Sequence, residues 1–122
     1  MDELDQRIEV LHQAGIIDEI GKADLGKIIQ ILTIDYGIDR NSELLGSLVT
    51  HIAASFKRLR EGEKIVPIAR EVLADVKSNE FYPKSLEIEK KIANSITNKI
   101  SVDEEEFILV HIAGLLTAAQ TD

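Results

Sequence analysis

The chain has no cysteine, so neither a disulfide nor a thiolate metal site is open to it. Aromatic residues are only 4% of the sequence, which leaves a core to be built from aliphatic side chains. Two prolines and seven glycines are too few for a loop-dominated chain. No apolar run approaches the roughly 20 residues of a membrane span. Met1-Asp2-Glu3 is acidic where a signal peptide is basic, so a cytoplasmic location is expected. Positive charge is scarce too: Lys and Arg number 14 against 22 Asp and Glu, a net charge of −8. Binding to nucleic acid rests on clustered Lys and Arg that neutralise phosphates. The one short cluster here, Lys57-Arg58-x-Arg60, falls at a predicted helix end, where the macrodipole favours cations anyway. Direct contact with DNA, RNA or anionic lipid is therefore not expected.

What the chain has is Ile and Leu in abundance, a hydrophobic fraction of 44% and a length of 122 residues, enough for one packed domain. Leu4, Ile8 and Leu11 form a short helical stripe that stops near Gly15. Leu25, Ile28, Ile29, Leu32 and Tyr36 form a second, with Gly37 at the C-terminal glycine position. The run Ile28–Ile34 has strand-like composition, but a lone strand without a partner is unstable, so helix is predicted. Asn41 or Ser42 can cap a third helix with the stripe Leu44, Leu45, Leu48, Ile52, Phe56 and Leu59, closed by Gly62. Pro67 fits the first position of a fourth, with Ile68, Val72 and Val76 inward, and Pro83 starts a fifth, with Leu86, Ile92, Ile96 and Ile100 inward. Ser101 and Glu104 read as a capping box before Phe107, Ile108, Ile112 and Leu115. The expected fold is all-α: a compact antiparallel bundle of about five helices with a short extra N-terminal helix.

Most catalytic signatures fail on inspection. Gly21 to Lys27 matches the letters of a phosphate-binding loop, but Ile28 stands where Ser or Thr would hold magnesium, and no strand precedes it. Glu9-x-x-His12 is half of a bundle di-metal motif whose second half is missing, since Leu48 and Ile108 precede the other two histidines by three. The acidic run Asp103–Glu106 reads as a solvated first helical turn. No metal, cofactor or catalytic centre is expected, and the chain is read as a non-enzyme. His51 and His111 are different. Each is placed mid-helix beside an apolar stripe. Packing alone accounts for such residues often enough, but a neutral imidazole also offers an unprotonated nitrogen that can accept a phosphoryl group. Arg58 lies two turns after His51, about 10.5 Å along a helix, so reaching a phosphoryl there requires an extended side chain.

Three segments carry a resemblance. They are Leu48-x-x-His51-Ile52 with Arg58-Leu59-x-x-Gly62, then Tyr82-Pro83-x-x-Leu86-x-Ile88-x-x-x-Ile92-Ala93, then Asp103-Glu104-x-x-x-Ile108-x-x-His111-Ile112. In order and spacing they resemble the PTS regulation domain, or PRD, family. Residues 24–122 are read as this domain, with residues 1–23 as an N-terminal extension helix. The resemblance implies a helical, commonly dimeric unit of bacterial sugar-operon regulators, phosphorylated on histidine by HPr or by a sugar-specific enzyme IIB. The acceptors it implies are His51 and His111, with Arg58 at a recurrent basic position that supports structure or phosphate. Thr50 stands where several relatives have Asp, and Val66 precedes Pro67 where Asn-Pro is common. With one such domain and no nucleic-acid-binding partner domain, the chain resembles a stand-alone PRD. It would act by transcriptional control or antitermination through a separate regulator. Two rivals accompany this reading: a phosphorylation-independent helical adaptor derived from a PRD, and a small metalloenzyme using His12, His51 and His111.

Overall fold

The computed structural model describes residues 2–120, and among them every regular element is helical. Six α-helices follow in order: α1 (Glu3–Gln13), α2 (Glu19–Gln30), α3 (Glu43–Glu61), α4 (Arg70–Lys77), α5 (Tyr82–Ser95) and α6 (Val102–Gln120). The end of α2 winds on through a π-helical turn, Ile31–Asp35, where the Thr33 hydroxyl donates back to the Ile29 carbonyl at 2.7 Å.

Local chemistry explains most boundaries. The side chains of Asp2, Asp18 and Ser42 each accept a backbone N–H three residues on, so each satisfies one donor that a helix start leaves orphaned. Gly37 and Gly62 end their helices with φ of +68° and +71°, the left-handed region a side chain would strain. Pro83 enters α5 within its first turn, where no N–H is missed.

Other boundaries depart from the sequence reading. Pro67 does not start a helix: residues 63–69 run irregularly and α4 begins at Arg70 behind an uncapped Ala69. No Ser, Thr, Asp or Asn stands at residues 63–66 to cap a helix there. Val72 is consequently 42% exposed, and Val76 is the buried residue of α4. Leu44 and Leu59, at the two ends of the α3 stripe, are also largely exposed. The Gly21–Lys27 stretch lies wholly inside α2, so it forms no phosphate-binding loop.

The core is aliphatic, as the shortage of aromatics requires. Leu25, Ile28, Leu32, Leu45, Leu48, Ile52, Ile88, Ile92, Ile108 and Ile112 are almost completely buried around Phe56, the one large ring at the centre. Each contributes about 1.5–3 kcal/mol of burial. α6 packs on α3 and α5, with α4 against its outer side, while α2 contacts α1, α3 and α5. Leu4, Ile8 and Leu11 of α1 belong to the same core. A buried carboxylate, Asp24, pins the α5–α6 connector by accepting from the Thr97 and Asn98 backbone N–H groups and the Asn98 side-chain amide at 2.8–2.9 Å.

Candidate functional site

Two helices carry matching sets of residues. On α3, His51, Ser55 and Arg58 follow at i, i+4 and i+7; on α6, Glu104, Phe107 and His111 follow at i, i+3 and i+7. Each set therefore lies along one face of its helix. The sets meet with opposite polarity: His51 faces Phe107 and His111, whereas Arg58 faces Glu104. The two helices are antiparallel across this contact.

At one end are three near-parallel rings. His51 stacks on Phe107 with centroids 4.1 Å apart, Phe107 lies 4.7 Å from His111, and the two imidazoles are 5.2 Å apart at an interplanar angle of 13°. The structure thus brings both sequence-selected histidines together. They are not equivalent. His111 Nδ1 lies 2.9 Å from the Phe107 carbonyl oxygen, which can only accept, so that nitrogen carries the proton. His51 makes no ring hydrogen bond, and its Nε2 is buried without a partner, 3.9 Å from Glu104 Oε1. Burial, then the proximity of His111 and Arg58, push the His51 imidazole down to about 4, only partly opposed by Glu104. His51 is therefore neutral at physiological pH.

At the other end is a buried ion pair. Arg58 donates from Nε to Glu104 Oε2 at 2.8 Å and from its terminal nitrogen to Oε1 at 2.9 Å, a bidentate geometry. The Ser55 hydroxyl donates to the same carboxylate at 2.9 Å. Burial raises the Glu104 pKa, but these donors outweigh it and hold the carboxyl below its usual value. Arg58 lies at this site with its fork already engaged by Glu104. The Glu104 side chain is only 7% exposed. That corrects two expectations. The acidic run is not wholly solvated, and the capping box is half formed: Ser101 accepts the Glu104 N–H at 3.2 Å, but the Glu104 carboxylate turns to α3. Glu104, Ser55 and Phe107 are the site residues the sequence reading missed. The signal was their helical register with the histidines, which for Glu104 was concealed by the run of four acids.

His12 is elsewhere, on α1, with Nε2 3.0 Å from Glu19 Oε1. Among the described residues no group of three or more His, Asp or Glu side chains is arranged to hold a metal ion. Nothing in this geometry supports a three-histidine centre.

A sequence model of the PRD domain matches residues 26–115, about three-quarters of the chain, including every residue of this cluster. The chain belongs to the PRD family. An Escherichia coli (strain K12) relative, described as uncharacterized protein YhfY, is 24% identical over 119 residues, covering 98% of this chain and 99% of that protein. No solved structure matches. PRD membership gives the chain a regulatory character linked to the phosphotransferase system at the level of the family. The PRD match begins inside α2, yet α1 lies outside it and still contributes to the core. Among the described residues of this PRD protein no helix is long and apolar enough to cross a membrane.

Proposed function

We propose that this protein is a phosphohistidine-controlled regulatory domain of a bacterial sugar phosphotransferase system. In this reading it receives phosphate from HPr or a sugar-specific enzyme IIB and modulates transcription of a sugar operon through a partner protein. The observation that carries the reading is the convergence of His51 and His111, from separate helices, onto one stacked cluster beside the Arg58–Glu104 pair. Residues 24–122 form the regulatory unit, working in the cytoplasm as a homodimer, with residues 1–23 as an added helix.

The switch follows from charge. A phosphoryl group on His51 brings about −1.5 to −2 charges beside the Glu104 carboxylate, 3.9 Å from its Nε2, and one on His111 brings them to the ring stacked against His51. The Arg58 charge acts on His51, and its guanidinium holds Glu104 through two nitrogens. Phosphate competes for that guanidinium; losing it leaves Glu104 buried and uncompensated, an arrangement that costs about 3–5 kcal/mol. The α3–α6 contact must then repack, and the surface offered to a partner changes. Phosphotransfer with labelled phosphoenolpyruvate, enzyme I and HPr tests this. Wild type should take up label, and the double variant His51→Ala plus His111→Ala should not. Label that persists in the double variant removes the acceptor assignment.

One observation favours the adaptor reading instead: His51 Nε2 is sealed and unpaired. As a phosphorylation-independent adaptor derived from a PRD, the protein would take no label, and the double variant would bind its partner as tightly as wild type.

A further inference from the structure

The two histidines present different nitrogens to the outside. On His111 the Phe107 carbonyl fixes the proton on Nδ1, so in the neutral ring the lone pair is on Nε2. That Nε2 has no hydrogen-bond partner and is not among the buried unpaired atoms, so it is open to solvent in a half-buried ring. On His51 the corresponding nitrogen is enclosed, with Phe107 stacked on the ring face and Glu104 nearby. An anionic phosphoryl group approaching His51 Nε2 would also meet the Glu104 carboxylate, 3.9 Å away. For an acceptor at Nε2, geometry and charge therefore both favour the second histidine.

We infer that His111 is the entry acceptor and takes phosphate on Nε2, with Phe107 as its positioning residue and His51 as the packed wall of the site. This rests on the phosphohistidine reading above and names which atom serves it. In the step, the His111 Nε2 electron pair forms the new bond to phosphorus. The P–N bond of the donor's ring-protonated phosphohistidine breaks, its pair returns to that ring, and the donor leaves as neutral imidazole. The His111 proton stays on Nδ1, and the positive charge the ring gains faces the Phe107 carbonyl 2.9 Å away. A carbonyl hydrogen-bonded to the far side of the ring both orients the attacking nitrogen and stabilises that charge, as in other sites where a histidine is set by its second nitrogen.

The test uses the full chain labelled with nitrogen-15. Before phosphorylation, long-range proton–nitrogen spectra of the neutral ring should show the His111 proton on Nδ1. After treatment with phosphoenolpyruvate, enzyme I and HPr, the phosphorus-bearing nitrogen should be His111 Nε2. His111→Gln should slow phosphotransfer at least about tenfold more than His51→Gln does, with circular dichroism confirming that both variants fold. The Nε2–H tautomer on His111, phosphate on its Nδ1, or transfer that follows His51 instead would each overturn the inference. If no histidine is phosphorylated, the regulatory reading falls and the acceptor assignment with it; the tautomer spectrum separates that result from a wrong choice of nitrogen.

Discussion

His51 and Glu89 are titratable side chains that burial pushes in opposite senses. Glu89, on α5, is 6% exposed with one carboxylate oxygen buried and unpaired; burial, with Glu105 nearby, raises its carboxyl from 4.5 to about 7. His51 is lowered from 6.5 to about 4. For Glu89 the folded state holds a proton that the unfolded chain has lost, so the stability it contributes is present below pH 4.5 and disappears as pH rises to about 7. For His51 the unfolded chain binds the proton first, so its contribution is present above pH 6.5 and disappears as pH falls toward 4. Between pH 4.5 and 6.5 the two slopes oppose. Each is at most about 1.4 kcal/mol per pH unit, and less after solvent screening. Across this window Glu89→Gln should leave stability rising with pH, and His51→Gln should leave it falling; urea midpoints measured at several pH values check both. Parallel profiles for the two variants would remove the account. At the ion pair, Arg58→Ala strands a buried carboxylate and should cost about 3–5 kcal/mol. Adding Glu104→Gln should recover part of that loss, giving a coupling of about 1 kcal/mol or more in a double-mutant cycle.

At the scale of elements, α3 and α6 differ from α4. The two long helices bury continuous faces, whereas α4 is eight residues long, has no side-chain cap and buries Val76. Helices this short are not stable on their own and depend on packing. Amides of α4 should therefore exchange with solvent well before those of α3, by orders of magnitude under native conditions. Equal protection in α3 and α4 would contradict this. The helix stripes and glycine stops were legible because they depend on residues three and four apart and on backbone handedness. Pro67 misled because a proline that can open a helix need not do so without a capping residue before it. The α5–α6 connector was opaque for another reason: its anchor, Asp24, is more than seventy residues away.

At the scale of the molecule, α1 tests what counts as one unit. Leu4, Ile8 and Leu11 lie in the main core, and the Arg40 guanidinium ties the start of α1 to the α2–α3 connector through Asp2 and Asp5. Ile8→Ala should destabilise the whole protein by about 2–4 kcal/mol. Unfolding followed by circular dichroism and by tyrosine fluorescence should remain a single coincident transition. A separate early melting of α1 would show instead that it is an appended segment.

The sequence alone determined that the chain is helical, where most helices stop, that its core is aliphatic, and that His51 and His111 lie mid-helix beside apolar stripes. These follow from local spacing, from capping chemistry and from what the composition leaves out. Only the tertiary structure decided that the two imidazoles stack, that Arg58 is held by Glu104, and that one histidine exposes the nitrogen the other encloses. Those outcomes depend on which faces of α3 and α6 meet, and in which register. That choice is made by the packing of residues some fifty positions apart, a distance over which the helical period carries no information.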